Sequence, residues 1–599
     1  MNTLSKTKSA MPLIMDWSQI NWQKINTYIE KLQMRIYHAE KEGDKRKVRD
    51  IQRMLMNSQS ALLLSIRRVT QLNKGKRTAG VDGHKISTPK ERLALYREMS
   101  GLELSRHRPK PAYRTYIRKK NGKMRPLGIP TIKDRVYQNV VKLALEPQWE
   151  ARFEPTSYGF RPKRSCHDAI GRIHATLKGN STRSWVFEGD FKACFDTLSH
   201  DFILKQIQGF PEANLIAKWL TAGFVDNNVF NVTEEGTPQG GIISPLLANI
   251  ALHGMEEALN IKYTKHRRKV KGKDVVYYEN RTKYALCRYA DDFVIMCKTR
   301  EDAEGLYTIL SGYLSERGLT LSEEKTKITH ITDGFNFLGF NIRRYKTNRG
   351  KTEGVILLCK PSKESIKTLK AKIAEEFQKT RGKNAQTLIG RLNPIVMGTA
   401  NYWLHVTAKE IFADIDYYLW LKTRRWINRS HPAKNWKWKK ERYFKSDKTG
   451  QSKSKWILTD PTTGNQLKAM AWTKIVRHQM INHDLSPFDS NLKEHYHKRS
   501  IKEFDCNNVA YRQKLAKKQK YVCPMCKMSI ADFSEGLETH HIHPKVQGGS
   551  GEYKNLQLVH ISCHIDYHKA FPAKGAIPTQ AQIRQYYNAI KRKRLAGIL

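Results

Sequence analysis

Residues 285–297 (ALCRYADDFVIMC) leave the chain little choice of local fold. Two apolar runs flank a short polar turn, so the segment reads as strand, turn, strand, with Asp291 and Asp292 at the turn. Another short apolar run, residues 184–187, leads to a third carboxylate, Asp190. An acidic pair between strands is commonly an ordinary turn. Acids at the ends of separate strands have a further use, because folding can bring them together in one cleft.

That cleft would lie in a strongly basic protein. The 599 residues carry 107 Lys plus Arg against 56 Asp plus Glu, a formal net charge of +51, and the excess runs along the whole chain. Such a field holds a polyanion over a long surface and points to nucleic acid, although a ribosomal or heparin-binding protein would share it. The length suits roughly three to five units. Six of the nine cysteines are scattered, whereas Cys523, Cys526 and Cys563 lie close together near the end. That pattern suggests metal ligation in a reducing compartment, not a disulfide framework. No apolar run approaches the ~20 residues that span a bilayer, and the N-terminus lacks a signal peptide's apolar stretch. The expectation is a soluble intracellular protein with no membrane partner.

Along the chain, residues 1–20 are polar and expected to be poorly ordered. Residues 22–68 are helical in pattern, with Ile25, Ile29, Leu32 and Ile36 on one face and a break near Gly43 and Asp44. Residues 73–83 (NKGKRTAGVDG) read as a basic loop. Residues 113–117 and 124–129 read as strands around the Asn121-Gly122 turn. Residues 136–145 read as a helix ending before Pro147. The basic stretch 262–283 suggests an exposed loop or hairpin. Beyond Pro361 the pattern turns to Lys- and Arg-rich helices, 363–377 and 386–403, and at Tyr521 cysteines and histidines cluster.

Phosphoryl transfer to a nucleic-acid 3′ hydroxyl uses two divalent ions about 4 Å apart, and magnesium prefers carboxylate and phosphate oxygens. Asp190, Asp291 and Asp292 could supply them. These acids sit within an ordered series: RPLGIP at 125–130, FRPKRS at 160–165, GDFKACFD at 189–196, GTPQGGIISPLLANI at 236–250, YADD at 289–292, GLTLSEEKTKI at 318–328 and FNFLGF at 335–340. The series resembles the consecutive blocks of the reverse transcriptases encoded by group II introns, over about residues 70–480. The resemblance implies an α+β right-hand polymerase with fingers and palm and an α-helical thumb. In it Asp190 and Asp291 are the main Mg2+ ligands, Asp292 is the neighbouring palm carboxylate, and the backbone carbonyl of Phe191 completes one ion's shell. Lys119 and Arg125 would hold the dNTP triphosphate, with Lys325 near it. Gln239 would support the nascent base pair, and Phe195 would exclude a 2′ hydroxyl. Residues 390–403 (GRLNPIVMGTANYW) resemble the thumb, or domain X, of intron maturases, where Arg391, Asn401, Tyr402 and Trp403 would contact intron RNA. Trp403 serves equally well as a core residue. Residues 470–515, with Lys474, Arg477, Lys493, Lys498, Arg499 and Lys502, sit where the family binds DNA.

In the tail, Cys523-x-x-Cys526 and His560-x-x-Cys563 give two ligand pairs suited to a closed tetrahedral Zn2+ site. Between and after them lie ETHHIH at 538–543, Asn555, His564 and His568. This arrangement resembles the HNH (ββα-metal) nucleases. The resemblance makes His540, His564 and His568 ligands of one catalytic divalent ion, His541 the general base and Asn555 the residue that pins its loop. Many relatives carry Cys where His560 stands.

Together these readings give a helical N-terminal extension (1–69), fingers and palm (70–345), a thumb (346–470), a DNA-binding segment (471–515) and an HNH module with structural zinc (516–599). The expected partners are group II intron RNA as a lariat ribonucleoprotein, double-stranded target DNA and dNTPs, in a bacterial cytoplasm at the nucleoid or in an organellar matrix. The rivals are a stand-alone retron or defence reverse transcriptase and a splicing factor that only binds RNA. The charge reading is checked by salt titration of RNA affinity. If about ten phosphates are neutralised, log affinity falls against log salt with a slope of about −7 to −9, and a flat dependence contradicts it.

Overall fold

The computed structural model describes all residues except 1–15, 18–19, 119–121, 123, 180, 271, 348–353, 449, 484, 533–534, 573–577, 580, 584, 586–587 and 589–599. Most of the extreme N-terminal stretch read as poorly ordered, together with Lys119, lies outside the described residues.

The N-terminal periodicity forms three helices, Trp22–Lys41, Lys45–Met56 and Gln59–Arg67. Asn21, Asp44 and Ser58 cap them by accepting backbone N–H groups in the first turn. Gly43 makes the first break at φ +79°, and a second break, at Asn57 and Ser58, had no glycine to announce it. These helices pack on a fourth, Ile132–Glu150, and this helix corrects the sequence reading, because it runs straight through Pro147. A proline has no N–H to give the carbonyl four residues back, here Leu143. Gln33 reaches across from the first helix, and its Nε2 donates to Leu143 O at 2.9 Å. Gln52 Nε2 donates to the next carbonyl, Ala144 O, at 3.3 Å. A buried side chain thus replaces the missing helical bond.

The finger strands Ala112–Arg118 and Met124–Ile129 pair antiparallel, from Tyr113↔Ile129 to Arg118↔Met124. The strand Phe224–Asp226 joins them in parallel. The basic stretch forms the hairpin Thr264–Val270 and Lys273–Glu279. The central sheet has the spatial order Lys327–His330, Trp185–Asp190, Asp292–Cys297, Ala285–Tyr289. It is buried on both faces. Phe187, Phe293 and Ile295 point into a core shared with the N-terminal helices. Val186, Val294 and Met296 point into a second core with the thumb helices Lys363–Lys379, Ala385–Trp403 and Lys409–Ser430. Two buried faces explain why these strands read as unbroken apolar runs.

A third, small core lies between Phe504 and Tyr567. It holds the hairpin Leu537–His541 with Leu556–His560 and the helix Ile561–Ala570. This module docks on the N-terminal helices through a buried ion pair, Arg67–Glu535 at 3.5 Å, and on the palm through Lys163–Asp532 at 2.6 Å.

Replacing Gln33 by Ala leaves Leu143 O buried without its donor. The expected cost is about 1–3 kcal/mol in denaturant unfolding, and a change within experimental scatter contradicts the account of Pro147.

Candidate active site and metal centres

Asp190 closes one central strand and Asp292 opens the next, and the two are direct partners in the sheet register. Tyr289 pairs with Asp292 across a two-residue turn of Ala290 and Asp291. Ala290 takes a left-handed conformation at φ +58°. The pairing therefore gathers three carboxylates at one end of the sheet. Burial raises the Asp291 carboxyl, and the nearby Asp190 raises it further against Arg125 and Lys325. The cleft walls and the charges of Asp291 and Asp190 push Asp292 up to about 7, although its side chain stays open to solvent. Mutually repelling carboxylates are a donor set that a divalent cation relieves. Here Lys325 Nζ partly does so, donating to Asp190 Oδ2.

The surrounding groups are coupled. Arg125 Nε donates to Gln239 Oε1 at 2.7 Å, and Gln239 Nε2 donates to Asp196 Oδ2 at 3.5 Å. Gln239 O accepts the Gly128 N–H at 2.8 Å, which ties the finger strand to the PQGG turn. Phe195 is buried, edge-on to the exposed Phe160 ring, and walls a cavity of about 590 Å³ with Asp196, Tyr116 and Arg114. Phe191 stacks on Phe293 at 5.0 Å.

In the tail, one ligand atom from each of Cys523, Cys526, His560 and Cys563 lies within 4.8 Å of the others. Cys526 Sγ is 3.2 Å from His560 Nδ1, while His560 Nε2 lies 3.2 Å from the Ser529 carbonyl. That carbonyl takes the Nε2 proton and leaves Nδ1 facing the sulfurs. Three soft ligands and one imidazole at this spacing fit a tetrahedral zinc ion.

His540, His564 and His568 form a second such group. Their rings converge, with His564 Nε2 and His568 Nε2 3.0 Å apart. His564 Nδ1 is held by Glu538, and His568 Nδ1 faces Phe571 O at 3.2 Å. His540 is 1% exposed, yet neither of its ring nitrogens has a hydrogen-bond partner among the described residues, and burial beside the two other imidazoles lowers its pKa to about 3. A buried neutral imidazole with orphaned nitrogens, aimed at two others, fits a metal ligand. His541 follows at the strand end. The Asn555 side chain clamps the next loop, accepting from His543 N at 2.7 Å and donating to His543 O and Ser550 O.

Four family models match in chain order. The N-terminal domain of reverse transcriptase matches residues 17–99 and the reverse transcriptase (RNA-dependent DNA polymerase) matches 117–342. The group II intron maturase-specific domain matches 366–444 and the HNH endonuclease matches 523–570. The chain is 38% identical over 325 residues to protein YkfC of Escherichia coli strain K12, covering 50% of this chain and 85% of that protein. It is 35% identical over 335 residues to the group II intron-encoded protein LtrA of Lactococcus lactis subsp. cremoris. This chain belongs to the group II intron-encoded proteins. It combines a reverse transcriptase, a maturase domain and an HNH endonuclease in one polypeptide. The LtrA alignment covers 47% of this chain and 55% of LtrA, so the chain spans about half the length of that relative. A 91 kDa protein in the cob intron of Schizosaccharomyces pombe is 30% identical over 367 residues, 52% of this chain and 45% of that one.

In this intron-encoded protein several residues expected at RNA or DNA have partners within the chain. Trp403 is in the thumb core at 2% exposure. Asn401 Nδ2 donates to Asn507 O, Tyr402 OH donates to Leu338 O, and Arg391 pairs with Glu376. Arg499 is turned inward onto Asp168 of the palm. The sequence reading also passed over Glu538. Its signal was present, because Glu538 lies two residues before His540 and so shares that strand face.

Protonation of the raised Asp292 carboxyl as pH drops through about 7 removes a negative charge from beside Asp190 and Asp291, so the cluster's attraction for a cation is expected to fall. Half-saturating Mg2+ for primer extension is expected to rise by up to about tenfold per pH unit below 7, and no dependence between pH 6 and 8 contradicts the coupling.

Proposed function

We propose that this protein carries a group II intron through its mobility cycle. It binds the intron RNA, assists splicing as a maturase and takes the excised lariat to double-stranded target DNA. Its HNH module nicks one strand, and the palm extends the freed 3′ hydroxyl with dNTPs along the RNA. The observation that carries the reading is a histidine trio whose ligand atoms converge as a metal site and a carboxylate trio gathered at one end of the central sheet, built on separate cores of one +51 chain.

In this reading Asp190 and Asp291, with the Phe191 carbonyl, hold two Mg2+ ions beside Asp292. Those ions would supply activation of the primer hydroxyl and charge relief at the leaving pyrophosphate. Arg125 and Lys119 bind the triphosphate, so Arg125 exchanges its bond to Gln239 for phosphate oxygens, and Gln239 is freed to meet the base pair. Lys325 stands at Asp190, where its ammonium passes between carboxylate and phosphate. Phe195 bars a 2′ hydroxyl by bulk. Cys523, Cys526, His560 and Cys563 staple the tail with Zn2+. His540, His564 and His568 hold the nuclease ion, and His541 takes the proton from the attacking water. The compartment is a bacterial cytoplasm or an organellar matrix; no helix among the described residues is long and apolar enough to cross a membrane.

Two variants separate the activities. Asp291→Ala is expected to abolish primer extension and leave DNA nicking intact. His541→Ala is expected to slow nicking by about 10²–10⁴-fold and leave extension of a pre-nicked primer intact. Nicking that survives His541→Ala removes its role, and wild-type splicing without any extension favours a purely RNA-binding protein.

A further inference from the structure

Arg288 lies in the strand Ala285–Tyr289, two residues before the left-handed Ala290, and is completely buried. Burying a guanidinium is costly unless the geometry uses it. Its Nη1 donates to Asn249 Oδ1 at 3.2 Å and to the Ala290 carbonyl at 3.1 Å. Its Nε and Nη2 have no hydrogen-bond partner among the described residues. Glu154 supplies countercharge, and its Oε1 is itself fixed by the N–H groups of Gly254 and Glu256.

A second contact fixes the same turn. Asn249, also fully buried, donates Nδ2 to Gly159 O at 2.8 Å. Gly159 lies against the turn so closely that a Cβ there would sit 2.3 Å from Ala290 N. The strand is tied to the same segment on both sides, by Arg288 N to Thr156 O at 3.0 Å and Tyr158 N to Arg288 O at 2.9 Å. An L-residue at φ +58° is strained and persists only when its surroundings over-determine it. Here the surroundings are one charged fork, one amide and one close glycine, all below the turn that carries Asp291.

We propose that Arg288, seated by Asn249, is a positioning residue for the polymerase site. It grips the Ala290 carbonyl and thereby sets where Asp291 and Asp292 stand relative to Asp190. It would touch neither nucleotide nor metal. Arginine suits the task because its planar guanidinium fixes the directions of the two Nη1 hydrogens that reach Asn249 and the Ala290 carbonyl, which a lysine ammonium on a flexible stem does less well. The inference rests on the proposed role of Asp291 as a metal ligand.

The test uses full-length Asn249→Ala, Arg288→Met and Arg288→Lys. Asn249→Ala leaves the buried charge in place, loosens its seat and also removes the bond to Gly159 O, so the Arg288 variants separate the two contacts. Three measurements are made: amide exchange of residues 289–292 in metal-free protein, half-saturating Mg2+ for primer extension, and DNA nicking as a check of overall folding. Asn249→Ala and Arg288→Met are expected to speed exchange in the turn by about tenfold or more. They should raise half-saturating Mg2+ by about 10–100-fold, with the dNTP KM and nicking unchanged. Arg288→Lys should fall between these and wild type. Wild-type exchange and wild-type Mg2+ dependence in Asn249→Ala overturn the inference, and this variant decides alone if Arg288→Met fails to fold. A wild-type protein that nicks but never extends a primer would instead sink the polymerase reading, and the exchange data would still decide the role of Arg288.

Discussion

The pairing of Asp190 with Asp292 is the constraint from which the catalytic end of the palm follows. It belongs to an antiparallel register running from Trp185↔Cys297 to Asp190↔Asp292. A slip of one residue would exchange the two faces of the strand. Phe293 and Ile295 would then meet the thumb core, and Val294 and Met296 the core shared with the N-terminal helices. Because both faces are buried, each core checks the register independently. The acids are held at the sheet's end by packing far from them, which is how a cluster of like charges survives in a folded protein.

Much of this was legible in the sequence. The strand–turn–strand at 285–297, the hairpin around Gly122 and the helices beyond Pro361 rest on local apolar patterns and turn residues, and each stands in the structure. The ligand spacings of the tail were also legible, since two residues three apart at a turn or helix start face one site. What escaped had no local signal. Pro147 is a helix breaker by every local rule, and only the arrival of Gln33 from another helix makes it harmless. The inward turns of Arg499 and Trp403 depend on surfaces that composition does not reveal. Basic and aromatic content alone cannot separate a side chain that meets RNA from one that fastens the thumb.

The carboxylate cluster and the histidine trio use opposite electrostatic strategies within the same basic chain. In the palm, burial and repulsion among carboxylates raise their pKa values, and Arg125 and Lys325 moderate the rise. In the histidine trio His540 is kept neutral by burial, and its neighbours are oriented by Glu538 and a backbone carbonyl. The first arrangement is sensitive to pH near neutrality. The second is fixed by hydrogen bonds that choose which ring nitrogen faces inward.

The donors that Gln33 and Gln52 lend to Leu143 and Ala144 bear on modularity. The N-terminal reverse transcriptase model ends at residue 99 and the next begins at 117, so by descent the two look like separable parts. Physically they are not. The helix that supports the palm completes its own backbone bonding with groups borrowed from the segment before it. A boundary drawn by sequence kinship therefore cuts through a single hydrogen-bonded object, and a polymerase lineage that shed its N-terminal helices would first have to give up its proline.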